Sequence, residues 1–139
     1  MPEYVPIKGY DQLMDALKSQ SKNNCLIYLY FFGEKDQNGR SWCPDCVAVE
    51  QNVDTAFREN AHPNSLIYTV DVGNREAWKD QTNNKFRLHP FNMKEIPSLQ
   101  RWNGVERLDG DQLRKPSLLE LFFDEAKLAS ATDNTIPCK

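Results

Sequence analysis

Apolar positions change their spacing several times along the chain, and each change predicts an element. Residues 25–32 are almost continuously apolar and aromatic, which predicts a central strand buried on both faces. Before it, a short strand over 4–7 and a helix from Tyr10 are predicted, because apolar residues recur there at helical spacing. After a polar loop over 33–41, a helix is expected from about Cys43. Its inward face is predicted to carry Cys46, Val49, Val53 and Phe57, extended by Val47.

The second half of the chain predicts a sheet that ends in a hairpin. Residues 66–72 alternate and contain β-branched side chains, so they predict a long strand, followed by a short helix over 75–79. The Asn103-Gly104 pair between apolar segments 98–102 and 105–108 is typical of a hairpin. A last helix is predicted over 116–128, with Leu118, Leu119, Phe122, Phe123 and Ala126 inward. The order β-α-β-α-β-α-β-β-α favours an α/β fold in which helices flank a central mixed sheet.

Length and composition limit the class of protein. A chain of 139 residues suits one domain over 1–139, in which we expect 130–139 to be a flexible tail. The net charge is -3 with scattered Lys and Arg, which argues against nucleic-acid binding. No apolar run approaches the roughly 20 residues of a membrane span, and the first residues do not resemble a secretory signal. We therefore expect a reducing, cytoplasmic setting.

The segment Trp42-Cys43-Pro44-Asp45-Cys46 carries the strongest chemical signal. Two cysteines three positions apart on a helix can close a disulfide across one turn. In a reducing compartment such a pair is more often catalytic or metal-binding than structural. A structural zinc site needs four ligands, and the remaining candidates have no paired spacing: Cys25, Cys138, His62 and His89. The pattern favours redox chemistry, with no metal. Cys25 is expected to be a small buried core residue, and Cys138 a tail thiol without a role.

Position on the helix assigns the two cysteines different roles. Cys43 is predicted at the helix N-terminus, where free backbone N–H groups favour the thiolate and lower the thiol pKa. It is thus the expected nucleophile, and Cys46, deeper in the helix, is the expected resolving thiol. Pro44 suits the first helical turn because its missing N–H costs nothing there, and with Asp45 it is expected to tune the redox site.

Two neighbours of the cysteines allow two interpretations each. The charge of Asp45 either tunes the thiols by opposing a second anion or is only a solvated charge at the helix start. Trp42 either covers one side of the cysteine pair or serves packing alone. Glu50, four residues after Cys46, is a candidate proton acceptor if buried, although we expect it to be exposed.

Several segments together resemble the thioredoxin domain-containing protein 17 family of cytosolic thioredoxin-related proteins. The likeness runs over about 10–123 and rests on Lys35-Asp36, Ser41 to Val47, Trp78-Lys79-Asp80, Asn83-Asn84, Phe86-Arg87 and Ile96-Pro97. The chain departs from the family in its tail after Leu128 and in Gln51, where a proline is usual. The resemblance implies a thioredoxin-like fold. In that fold an Asp commonly lies on the strand before the site, where this chain has Tyr28 and Tyr30.

The resemblance also implies a function. It indicates a disulfide reductase that holds no bound cofactor and receives electrons from NADPH through thioredoxin reductase. Its expected substrates are small disulfides such as cystine, selected protein disulfides, persulfides and nitrosothiols. The loop over 33–41 is either a solvated connection or, as the resemblance favours, a rim that restricts larger substrates. We expect a monomer.

The same resemblance gives Ile96 and Pro97 a place in the substrate groove. It implies a cis peptide bond between them, in a turn against the disulfide where Ile96 pairs with a substrate strand. The alternative is an ordinary proline at a strand start. Two other functions stay open, which are a glutathione-linked, glutaredoxin-like oxidoreductase and a binding module whose cysteines sense redox state.

Overall fold

The elements follow the predicted order in the computed structural model, which describes residues 2–132. The strands are β1 (Glu3–Lys8), β2 (Ile27–Phe32), β3 (Leu66–Asp71), β4 (Ser98–Arg101) and β5 (Arg107–Asp109). The helices are α1 (Tyr10–Ser19), α2 (Pro44–Asn60), α3 (Arg75–Lys79) and α4 (Pro116–Thr132), with 3₁₀ helices at Lys85–Arg87 and Gly110–Arg114. Among these residues, no helix is both long and apolar enough to cross a bilayer.

The five strands form one mixed sheet in the order β1-β3-β2-β4-β5. β3 pairs in parallel with both β1 and β2, and β4 pairs antiparallel with β2 and β5. Pro6 lies in β1, at the edge of the sheet, where a residue without an N–H does not interrupt a ladder on both sides. The predicted mixed sheet flanked by helices is confirmed.

The central strand β2 is buried on both faces, as its continuous apolar sequence predicts. Leu29 and Phe31 belong to the core beneath α1 and α3, whereas Tyr28 and Tyr30 belong to the core beneath α2 and α4. This alternation follows from the two-residue period of a strand. Both cores are rich in aromatic contacts, such as the edge-on packing of Tyr28 against Phe123 at 5.0 Å.

The long helices bury the faces that their apolar spacing predicts. On α2 the buried residues are Cys46, Val49, Val53, Ala56 and Phe57, and on α4 they are Leu119, Phe122, Phe123, Ala126 and Ser130. Val47 and Leu118, also predicted inward, are only half-buried. Because α4 continues to Thr132, residues 130–132 of the predicted tail are helical. Residues 133–139, with Cys138, lie outside the described residues, so the domain boundary and the flexible tail stay predictions.

The start of β2 differs from the prediction. The strand begins at Ile27 rather than at Cys25, and Asn24 before it has a left-handed φ of 45°. Cys25 is half-buried and disulfide-bonded, so the prediction of a buried core thiol is wrong. An apolar run alone does not mark where the ladder begins, because Cys25 and Leu26 extend the run without extending the regular strand.

The predicted hairpin is present, but its second strand is shorter than expected. Asn103 has a φ of 62°, and the Gly104 N–H donates to the Arg101 carbonyl at 3.2 Å. β5 starts only at Arg107, and Val105 is 89% exposed. The Arg101 N–H instead bonds the carbonyl of Glu106, whose carboxylate also holds the buried Arg101 guanidinium. Glu106 therefore closes the turn by pairing with Arg101, and the regular strand starts one residue later.

Candidate active site

The cysteine pair lies where the chain enters α2, at the end of the sheet. Cys43 is the N-cap residue, with extended backbone (φ -88°, ψ 109°), and Pro44 occupies the first helical turn. The Cys43 Sγ accepts a hydrogen bond from the Cys46 backbone N–H at 3.1 Å. The predicted helix start is therefore confirmed, with sulfur in the capping position that an oxygen usually fills.

The loop before α2 is built to hold Cys43, and the sequence did not predict how. The Ser41 hydroxyl donates to the Gly33 carbonyl at 2.7 Å and accepts the Cys43 N–H at 3.1 Å. Lys35 and Ser41 form an isolated antiparallel bridge, and the Asp36 carboxylate caps the turn between them. The segment is thus a small hairpin that fixes the first cysteine to the end of β2.

The Trp42 side chain is anchored to the segment that precedes α3. Its indole Nε1–H donates to the Gly73 carbonyl at 2.9 Å. Its ring lies against Gly33, where an added Cβ would come within 2.7 Å of Cε2. These contacts give Trp42 a packing role. That its ring also covers one side of the cysteine pair stays a prediction.

The Ile96–Pro97 peptide bond is cis, as the family resemblance implies. It brings the Ile96 carbonyl within 3.9 Å of the Cys43 Sγ. The Pro97 carbonyl accepts the Gly110 N–H at 2.8 Å, which ties this turn to the 3₁₀ helix Gly110–Arg114. A second cis bond, His89–Pro90, was not predicted, since nothing in the dipeptide distinguishes it.

The environment of the two thiols separates their acidities. The hydrogen bond from the Cys46 side chain above all, and also the Cys46 N–H, lower the pKa of Cys43 to about 7. Burial and the charge of Asp45 oppose this effect. The same thiol–thiol hydrogen bond, followed by burial, raises the pKa of Cys46. At neutral pH the thiolate form is therefore favoured at Cys43 rather than at Cys46.

We expect alkylation of reduced Cys43 by iodoacetamide to rise with pH through a midpoint near 7, because the thiolate is the reacting form and the pKa of Cys43 is about 7. Cys46→Ala removes the donor with the largest effect, so the midpoint should move to higher pH. Rates followed by mass spectrometry of the Cys43 peptide test this. A midpoint unchanged by Cys46→Ala would contradict the assigned cause.

Asp45 is exposed but not isolated. Its Oδ1 lies 3.1 Å from the Arg114 guanidinium, which reaches it from the 3₁₀ helix Gly110–Arg114. The charge of Asp45 raises the pKa of both cysteines, although it is not the largest cause for either, and the Asp45 backbone N–H lowers the pKa of Cys43. Local sequence patterns do not indicate Arg114, because 69 positions separate it from Asp45.

The surroundings of Tyr30 and Glu50 bear on which group takes the proton from Cys46. Burial above all raises the pKa of Tyr30, with Cys46 and Glu50 adding to it, so the phenol stays neutral and is no base near pH 7. Glu50 lies with Tyr30 along a groove of about 640 Å³ between α2 and the sheet. It is exposed, as expected, and bonds Lys35 at 2.9 Å.

We expect Glu50→Gln to change the rate of the resolving step by less than about twofold at any pH, because an exposed ion pair contributes little free energy. Stopped-flow decay of a preformed mixed disulfide on Cys43, measured from pH 5 to 9, reports this step. Lys35→Gln is the matched control, since it removes the partner and leaves the carboxylate. A profile that loses its acidic limb only in Glu50→Gln would make Glu50 the acceptor.

Metal-ligating side chains do not gather elsewhere in the described chain. Residues 2–132 contain no group of three or more His, Cys, Asp or Glu placed to hold an ion. His62 has a local task, since its Nδ1 accepts the Asn64 N–H at 3.0 Å. His89 is exposed beside a cis proline. Cys43 and Cys46 are free thiols.

A thiol pair at the start of a helix, beside a cis proline and at the end of a mixed sheet, defines a thioredoxin-fold protein. The model of the family described as thioredoxin domain-containing protein 17-like, thioredoxin domain, matches residues 6–125. The chain belongs to this family. Membership implies a function in thiol redox chemistry.

Relatives from several animals agree with this assignment. Thioredoxin domain-containing protein 17 of Epinephelus coioides is 33% identical over 123 residues, which cover 88% of this chain and 96% of the relative. The Homo sapiens protein of that name is 32% identical with the same coverage. Among solved structures, Trxlp from Edwardsiella tarda is similar with a TM-score of 0.48 and 21% identity, over 84% of this chain and 97% of that one.

Proposed function

We propose that the protein is a cytoplasmic thiol–disulfide reductase in which Cys43 attacks and Cys46 resolves. The observation that carries this is the capping geometry, in which the Cys43 Sγ accepts the Cys46 N–H at 3.1 Å beside the Ile96 carbonyl. A sulfur held at a helix N-terminus by N–H donors is stabilised as an anion, and the anion is the reactive form.

The reaction takes place in two exchanges. The Cys43 thiolate attacks one sulfur of the substrate disulfide, a mixed disulfide forms, and the other substrate sulfur leaves as a thiolate that takes up a proton. Cys46 then loses its proton and attacks the Cys43 Sγ, which releases the second substrate thiol and closes the Cys43–Cys46 disulfide. Two electrons have passed from the protein to the substrate.

Access to Cys43 supports a restricted substrate range. Only 4% of the residue is exposed, and the hairpin carrying Ser41 holds it against the end of the sheet. A small disulfide such as cystine can approach a recessed sulfur more easily than a folded protein surface can. An extended segment of a protein disulfide would pair with the backbone of Ile96 beside Pro97, in the manner of an added strand.

Electrons return to the Cys43–Cys46 disulfide, in this proposal, from NADPH through thioredoxin reductase. The protein works as a monomer without a bound cofactor, on cystine and selected protein disulfides, persulfides or nitrosothiols. Family membership supports a function in thiol redox chemistry, and the two free thiols supply that chemistry.

NADPH consumption in the presence of thioredoxin reductase tests the complete electron transfer from NADPH to the substrate. We expect faster turnover with cystine than with a folded protein disulfide such as insulin. Efficient reduction of both would indicate a general thioredoxin. Rapid recovery with glutathione alone would favour the glutaredoxin-like alternative, and negligible turnover with reductase would favour the redox-sensing binding module.

A further inference from the structure

Arg114 connects the segment between the two cysteines to a distant part of the chain. Its guanidinium lies 3.1 Å from Asp45 through one nitrogen and 2.9 Å from Asp111 through another. Asp45 is the residue directly before Cys46. One cation therefore spans the last 3₁₀ helix and the first turn of α2.

The fold places this arginine by more than its own ion pairs. The Asn52 side-chain amide on α2 donates to the Arg114 carbonyl at 3.3 Å. The 3₁₀ helix is fixed at its start, where the Asp109 N–H bonds Gln112 Oε1 at 2.8 Å and the Gly110 N–H bonds Pro97 at 2.8 Å. The backbone that carries Arg114 is thus tied both to α2 and to the cis-proline turn.

The charge of Asp45 acts against a thiolate on Cys43, because two anions repel each other at short range. The titratable groups that also face the thiols are Cys46 on α2 and the neutral Tyr30 on β2. No cation other than Arg114 is within ion-pair distance of Asp45 among the described residues. The Arg114 guanidinium beside Asp45 should therefore weaken the repulsion between the Asp45 carboxylate and a thiolate on Cys43.

We propose that Arg114 is a positioning residue of the dithiol site, which balances and orients the Asp45 carboxylate so that Cys43 stays reactive in its presence. This inference rests on the proposed function, since it concerns the same nucleophile. It goes beyond the cysteine motif, because it makes the reactivity of Cys43 depend on a side chain 69 positions from Asp45.

The test is alkylation of reduced Cys43 by iodoacetamide, followed on the Cys43 peptide by mass spectrometry. We expect Arg114→Gln to slow the reaction at pH 6 by roughly two- to threefold, the size typical of an exposed ion pair, and to leave the rate at pH 9 unchanged. About 1 M salt should remove most of the difference, and Arg114→Lys should restore most of the rate.

Two comparisons separate this role from the effect of removing any exposed arginine. Arg58→Gln is the matched control, because Arg58 forms an equally exposed pair with Asp54 at 2.9 Å on the same helix. In an Asp45→Asn background, Arg114→Gln should have no effect. The proposal is overturned if Arg114→Gln behaves like Arg58→Gln, or if its effect persists without the Asp45 charge. Because no reductase or disulfide substrate takes part, the result does not depend on the success of the turnover assay.

Discussion

Cys43→Ser should abolish disulfide reduction, with a loss on the order of a thousandfold or more. A serine hydroxyl at this N-cap still accepts the Cys46 N–H, so the helix start survives while the thiolate nucleophile is lost. Cys46→Ser should act differently, because Cys43 keeps its position and can still attack. The first exchange then proceeds and the second does not, so a mixed disulfide with the substrate accumulates. Non-reducing electrophoresis and intact mass measure the trapped species, and NADPH consumption measures turnover.

The double variant Cys43→Ser/Cys46→Ser is the control, and it should trap nothing. The residual turnover of Cys46→Ser should depend on added thiol, since an external thiol must then release the substrate. Wild-type turnover by Cys46→Ser would refute the assigned roles. So would equal trapping by Cys43→Ser, since that would make Cys46 the attacking group although its pKa is raised.

The core of this site could be read from the sequence because its determinants are local. Cys43, Pro44 and Cys46 lie within one helical turn, and the preference of proline for that turn fixes where α2 begins. The apolar spacing of α2 and α4 likewise identified most buried positions, since helix periodicity and burial follow from the same geometry. The cis bond before Pro97 came from resemblance to a family, because the dipeptide alone carries no such signal.

The supporting contacts could not be read in this way, because they join distant positions. The Trp42 indole and the Gly73 carbonyl are 31 residues apart, and the two partners of the Arg114–Asp45 pair are farther still. Ser41 was part of a recognised motif, yet its double hydrogen bond depends on the path of the loop rather than on residue type. Sequence patterns thus located the pair of free thiols, and the structure identified the groups that hold them.

Gly33→Ala should destabilise the protein by about 1–3 kcal/mol, the usual cost of forcing an extra methyl into a packed interior. The position is buried, and the new Cβ would lie 2.7 Å from Trp42 Cε2 and 2.8 Å from Nε1. The indole must move, and its 2.9 Å hydrogen bond to Gly73 is strained or lost. Urea unfolding followed by far-ultraviolet circular dichroism gives the free energy of unfolding. The Gly33 carbonyl also accepts the Ser41 hydroxyl, which in turn accepts the Cys43 N–H. The reactivity of Cys43 should therefore fall together with the stability.

A smaller side chain at position 42 separates this clash from any other effect of the methyl group. Trp42→Leu removes the ring atoms that the Cβ would meet, so Gly33→Ala should cost far less in that background than in the wild type. The two substitutions are expected to be strongly non-additive, as contacting residues generally are. Additive losses would show that the methyl group disturbs something other than the indole. In that case contact with Gly33 would not be what places the Trp42 indole.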